Sequence, residues 1–364
     1  MTRARILADY VSSGDELALK APLASPAFTG SPSITLGSDA TGDVYYRAAG
    51  GALTRLATGA DGTVLTSTGA AAVPAFEAVP VSDIVSTATG GTTIYTEGDY
   101  KVHVYKTSST FATGTLGGTV QYLIVAGGGG SGGWQATGVG PNGAGGAGGV
   151  VAGSTSFSAS LTYTIVVGNG GVAVTTDIPG NNGGMSQVTA TNMFIRAIGG
   201  GGGGDTGTNG KEGGCGGGGG ENALPAEITM PTQGFNGGTT STNACSGGGG
   251  GAGAVGVDAT STVAGNGGIG YLTTIIAHAN ATTEGVGHVD SSNVYFSGGG
   301  GGGKRYAGTA GTGGLGGGGN GSVDGDGNAG TNHTGGGASA GGGNATTNAK
   351  AGGHGCVILR YKFQ

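Results

Sequence analysis

AGGGGSGGWQATGVGPNGAGGAGGVV, residues 126–151, decides how this chain is read. It stands between TVQYLIVA (119–126) and VVAGSTSFSASLTYTIVVG (150–168), both rich in Val, Ile, Tyr and Thr and so predicted as β-strands. A flexible linker has no reason to interrupt a sheet, so this much glycine needs a structural explanation.

The same junction recurs along the chain. Strand-like residues run straight into glycine in VQYLIVAGGGG (120–130), MFIRAIGGGGGG (193–204) and NVYFSGGGGGG (293–303). Glycine runs straight into strand-like residues in GGAGGVV (145–151) and GGHGCVILRY (352–361). Nine glycine runs can be marked, at 127–133, 143–149, 199–204, 213–220, 247–253, 298–303, 313–321, 335–343 and 352–355. A repeated strand-to-glycine unit, rather than one long tract, is therefore the organising feature.

Fixing a backbone residue costs ~1–2 kcal/mol, and glycine loses more freedom than any other residue, so an isolated glycine run does not stay ordered. Polyproline-II geometry changes this, because it has three residues per turn and no internal hydrogen bonds. Each buried amide must then find a partner on a neighbouring run. Only glycine lets runs approach closely enough, since an inward Cβ would push them apart. The expectation is a lattice of packed polyglycine-II helices fed by a β-sandwich-like scaffold. Collagen is excluded, since the chain lacks a strict third-residue period and has 9 prolines beside 93 glycines.

Composition narrows function. The 364 residues carry a formal net charge of −6 and only 9% charged residues, which leaves no basic footprint for nucleic acid. No apolar stretch approaches the ~20 residues of a membrane span, and the N-terminus lacks a signal-like apolar core. This predicts synthesis in the cytoplasm and no membrane insertion. Cys215, Cys245 and Cys356 are too few and too scattered for a metal site or a disulfide framework, although Cys215 and Cys245 both flank glycine runs.

Three regions are expected. In residues 1–41, Ile6, Leu7, Tyr10 and Val11 share one helical face, which predicts a small N-terminal helix; Pro22, Pro26 and Pro32 then force extended chain. In residues 42–91, Val44–Arg47 and Leu53–Leu56 read as strands joined at Gly50-Gly51, and Gly59–Gly62 turns into a third at Thr63–Thr66, a small β-meander. Residues 92–364 form the glycine-rich part.

LKAPLASPAFTG (19–30) and GDVYYRAAGGALTRLATGADGTVLTSTG (42–69) resemble the shaft and connector repeats of bacteriophage tail-fibre proteins. YLIVAGGGGSGG (122–133), the recurring glycine runs and the closing GGHGCVILRY are similar to the glycine-rich domain of phage tail and fibre proteins, and to adhesins at fibre tips. Those adhesins are separate tip proteins, whereas here the glycine-rich part follows an attachment segment. The resemblance implies a mostly β homotrimer located in the virion, assembled in the host cytoplasm. Residues 1–41 would dock on another tail, baseplate or adaptor protein, and the loops beyond the glycine runs would meet a host surface glycan or outer-membrane protein. A capsid or tail decoration fibre is the alternative reading.

Trp134 and Tyr306 each follow a glycine run on a connector, where a ring either presents a flat apolar face or folds back to cap the lattice. With Gln135, Lys304 and Arg305 they are the candidate receptor-binding residues, and Ile6, Leu7, Tyr10 and Val11 are the candidate attachment residues. GGGGGGKR (298–305) misses a phosphate-binding loop because Arg305 stands where Ser or Thr would hold magnesium. DGDGNAG (324–330) offers Asp324, Asp326 and Asn328 at calcium-loop spacing, but lacks the glycine and the closing Glu. Neither the five histidines nor Glu221 and Glu227 make a catalytic constellation from sequence. No enzyme activity, cofactor or metal is expected.

Overall fold

The computed structural model describes residues 40–61, 63–67, 69, 72–78, 88–115, 117–133, 140–226, 232–240, 244–343 and 348–363. The N-terminal helix expected from Ile6, Leu7, Tyr10 and Val11 lies outside them. The chain divides into two units, Met1–Val81 and Ser82–Gln364.

In the first unit, β1 (Val44–Arg47) pairs antiparallel with β2 (Leu53–Leu56), and β3 (Thr63–Thr66) with β4 (Ala75–Ala78). The expected strands are all present, but the meander is corrected to two separate hairpins, because β3 takes β4 as its partner and not β2. Gly51, at φ +89°, makes the tight turn between β1 and β2 that a side chain would strain. Asp43 closes that hairpin by accepting from the Ala40 and Thr58 amides and pairing with Arg55 at 2.5 Å. The Ala40 amide and then Arg55 hold its carboxyl well below the ordinary carboxylate range.

In the second unit, β5 (Thr93–Glu97), β6 (Tyr100–Tyr105), β16 (Cys356–Lys362), β8 (Gly118–Val125) and β9 (Val150–Phe157) form an antiparallel sheet in that order. The C-terminal strand thus sits at its centre. A four-stranded sheet of β12 (Met193–Ala197), β11 (Ser186–Ala190), β10 (Thr162–Val166) and β7 (Ser109–Ala112) covers one face. Against the other face pack β13 (Tyr271–Thr273), β15 (Asn293–Phe296) and β14 (His288–Asp290), with the helix α1 (His278–Glu284).

Side-chain alternation shows why β16 reads as an unbroken apolar run. Val357, Leu359 and Tyr361 enter one core with Phe111, Phe157 and Tyr163, while Cys356 and Ile358 enter the other with Ile276, Val294 and Phe296. Phe111 meets Phe157 edge-on at 5.6 Å between ring centres. His103 is buried beside them, its ring nitrogens against the Gly90 carbonyl and the Tyr361 hydroxyl; burial lowers its pKa. The fold is mostly β with one short helix among the described residues, and no described helix is long and apolar enough to cross a membrane.

Glycine runs extend this sheet assembly through a second kind of order. Along 126–133, the amides of Gly127, Gly130 and Gly133 donate to Gly184, Asn181 and Ile178. Those of Gly128 and Ser131 donate to Gly353 and Lys350, and those of Ala126, Gly129 and Gly132 to Gly149, Gly146 and Gly143. The partner run changes at every residue and returns at every third. The same run accepts in turn from Gly171, Gly200, Gly203 and Ala338. Run 143–149 repeats the arrangement, donating to Ile198, Gly201 and Gly204, to Gly335 and Ala338, and to Gly250. Its backbone groups are therefore paired on all sides, as buried amides require.

Candidate functional site

The glycine runs carry their connectors away from the sheets to a common level. Run 126–133 leaves β8 and run 143–149 enters β9, so Ala126 bonds Gly149 beside the strands and Gly132 bonds Gly143 six residues further out. At that outer level the bonds continue from the Gly143 amide to Gly204 and from the Gly204 amide to Gly218. Nearby, Ser246 donates to Gly303, Lys304 to Ser322, and the Glu221 amide to the Pro141 carbonyl. The described residues that follow Gly204, Gly220 and Gly303 therefore start from one hydrogen-bonded level, the candidate face.

Three runs end there in a buried charged residue. Asp205 follows 199–204, Glu221 follows 213–220 and Lys304 follows 298–303, and they are 5%, 2% and 3% exposed. A charge so buried is stable only when its polar atoms are satisfied or its proton is redistributed. Asp205 takes the Thr208 hydroxyl and closes its own turn. The Lys304 ammonium donates to the Arg305 carbonyl at 2.8 Å, and its backbone bridges Cys245 and Val323. Glu221 differs: its Oε2 has no hydrogen-bond partner among the described residues, and it lies against Gly140, where a Cβ would collide with it. Desolvation raises its pKa, and the charge of Arg305 opposes the rise.

Arg305 and Tyr306 stand beside this buried layer. The guanidinium lies over the Tyr306 ring, 4.7 Å from its centre. Tyr306 is 59% exposed and held at φ +65°. Its amide donates to Asp324 Oδ1 at 2.8 Å, and the Asp324 amide returns to the Lys304 carbonyl at 3.0 Å. With its backbone fixed in this way, Tyr306 has little main-chain freedom left to lose on contact with a ligand.

The structure thus brings Lys304, Arg305 and Tyr306 together but points them differently: the lysine inward, the ring outward. Trp134 and Gln135 lie outside the described residues, as do Ile6, Leu7, Tyr10, Val11 and Glu227. Asp324 serves the Tyr306 amide, while Asp326 pairs with Lys350 at 2.9 Å and accepts the Asn348 amide at 2.7 Å, so these carboxylates turn to separate partners. Among the described residues no group of three His, Cys, Asp or Glu side chains converges as a metal site. Cys215, Cys245 and Cys356 are free and buried. Sequence reasoning missed Glu221 and Asp205 as members of this face. Their signal was present in the position directly after a glycine run, which Lys304 shares.

The family described as a glycine-rich domain matches residues 104–362, from β6 to the end of β16. No curated protein matches the chain.

Proposed function

The chain belongs to the glycine-rich domain family, and on that premise we propose that it is a homotrimeric phage tail fibre that attaches the virion to the host cell surface. A glycine-rich, β-rich domain suits a fibrous, adhesin-like protein in general.

One observation carries the reading. The return of each hydrogen-bonding partner at every third residue, as in Gly127, Gly130 and Gly133, is the period of polyglycine-II helices packed side by side. At ~3.1 Å per residue, run 126–133 then reaches roughly 20 Å beyond the sheets. Rods of this kind, fixed at one end by a sheet buried on both faces, hold their connectors rigidly, and rigid scaffolds with irregular loops are the common arrangement for recognition. Tyr306 with Arg305 forms the receptor-contacting face, and Trp134 and Gln135, outside the described residues, are assigned to receptor contact from their place after a glycine run in the sequence. The target of this face is a surface glycan or an outer-membrane protein. Residues 1–41 dock on a tail, baseplate or adaptor protein, and the role is adhesive, not catalytic.

Adsorption of the purified full chain to cells of the host bacterium tests this directly. The wild type is expected to adsorb and the Trp134→Ala, Tyr306→Ala double variant to lose adsorption while remaining folded. Undiminished adsorption by the variant would remove the assigned face. Immunogold labelling on the capsid, and not the tail, would replace the tail fibre by a decoration fibre.

A further inference from the structure

A second polar surface lies across the five-stranded sheet, on the side of the strands away from the glycine runs. On the face that carries Leu123, Val104 and Ile358 into the core, the next rung along the strands is Tyr95, Val102, Arg360, Gln121 and Ser154, set in register by the strand pairing. Residues Thr273–Ile275, at the end of β13 and just beyond it, overhang this rung and leave a cleft of about 330 Å³. A smaller hollow of about 200 Å³, bounded by Tyr100, Thr119 and Lys362, lies on the other side of Arg360. Arg360 borders both.

The guanidinium is positioned by its surroundings. Its Nε donates to Gln121 Oε1 at 2.8 Å, its Nη1 donates to the Thr274 carbonyl at 3.1 Å, and its plane covers the Tyr100 ring at 4.7 Å. These are two of the five N–H donors an arginine carries, so among the described residues three remain without a partner, and they are fixed in direction. Neither hollow has an acidic residue in its lining, in a chain whose formal net charge is −6. Of the carboxylates on the β5–β6 hairpin, Glu97 accepts from Asn280 at 2.8 Å, and Asp99 faces Lys362 at 3.9 Å. The remaining lining supplies the Gln121 amide and the hydroxyls of Ser154, Thr273 and Thr274.

We propose that this cleft binds an acidic sugar unit, with the sugar carboxylate on the free edge of Arg360 and the ring hydroxyls on Gln121, Ser154 and the Thr273–Thr274 overhang. A planar guanidinium matches a carboxylate through two parallel hydrogen bonds. The volume falls at the lower end of the range for small-ligand sites, which suits one six-membered ring. A single arginine bordered by hydroxyls and an amide favours a carboxylate on a polyhydroxylated body over a phosphate, which would draw a cluster of cations. This site is independent of the Tyr306 face, and each can fail without the other.

Saturation-transfer NMR on the full chain, with D-glucuronate, D-glucose and inorganic phosphate as separate probes, tests the assignment. Glucuronate is expected to bind in the millimolar range, more weakly at high salt, and D-glucose at least about tenfold more weakly, as the loss of a charge-assisted pair requires. Arg360→Gln should weaken glucuronate binding by about tenfold or more. Ser154→Trp, an exposed edge-strand change that fills the cleft, should abolish it with Arg360 intact, and so keeps the test valid if Arg360→Gln fails to fold. Absence of glucuronate binding, equal binding of glucose or phosphate, or unchanged binding in Ser154→Trp would each overturn the proposal.

Discussion

The amide of Gly129 donates to the carbonyl of Gly146 at 2.8 Å, joining two glycine runs that leave the same sheet from neighbouring strands. Three residues further along each run, Gly132 repeats the bond to Gly143 at 3.1 Å. Such spacing leaves no room for a side chain: a Cβ on Gly129 would collide with the Gly201 carbonyl on a third run.

Gly129→Ala should therefore be strongly destabilising, at the upper end of overpacking costs, about 3 kcal/mol. The Gly201 carbonyl it meets accepts the Gly146 amide, and Gly129 is itself hydrogen-bonded through its own amide, so neither backbone gives way cheaply. Gly325→Ala is the control. A Cβ there approaches only Ser322 Oγ at 3.2 Å and the Val323 carbonyl at 3.7 Å, and the change should stay within about 0.5 kcal/mol. Denaturant unfolding of the two variants would measure the difference.

Glu221→Gln should stabilise the protein at pH above the folded pKa of Glu221 and lose that advantage in acid. The folded carboxyl is raised above the ordinary value of 4.5 by desolvation. Native protein thus keeps a proton that the unfolded chain has released, and stability falls as pH rises through the folded pKa. Replacing the carboxyl by an amide removes a cost that is present above that window and absent below it. Melting temperatures of both proteins at pH 4 and pH 8 would show it, through a gap between them that opens only at the higher pH.

Tyr306→Gly separates recognition from stability. The exposed ring contributes little burial, and φ +65° is a conformation in which glycine is free of the strain a tyrosine bears. The variant should be as stable as the wild type or more so, by up to about 1 kcal/mol, while losing host-cell adsorption. Thermal unfolding alongside an adsorption assay reads both effects.

Much of the fold was legible because strands and glycine runs have opposite compositions. Val44–Arg47, Leu53–Leu56 and Thr63–Thr66 stand out between turn residues, and each junction such as Ile198-Gly199 marks where a strand gives way to a run. What stayed hidden was non-local. Nothing in AFEA, residues 75–78, reveals that it pairs with β3, and nothing in CVILRYK, residues 356–362, reveals that it lies between β6 and β8. The helix HANATTE, residues 278–284, is only seven residues long, draws four of them (His278, Asn280, Thr282 and Thr283) from weak helix formers and has no side-chain cap, and its one boundary signal is Gly285, which ends it at φ +63°. At the site, Tyr306 was readable as an aromatic after glycine, whereas the inward turn of Lys304 and Glu221 depends on neighbouring runs that are distant in sequence.

The three thiols provide a simple probe of how closed this interior is. Burial pushes Cys215 up to about 12 and raises Cys245 and Cys356 as well. Thiolate, and not thiol, is the reactive form. Native protein at pH 8 should give almost no reaction with a disulfide reagent, and denatured protein should give three equivalents per chain.

Amide hydrogen exchange over residues 127–133, 143–149 and 298–303 tests the central claim most directly, because polyglycine held by lateral hydrogen bonds and polyglycine that dangles differ in little else so plainly. The account predicts protection in these runs comparable to that of β8 and β16. Exchange at the rate of an unstructured chain across the runs, with the strands still protected, would contradict it.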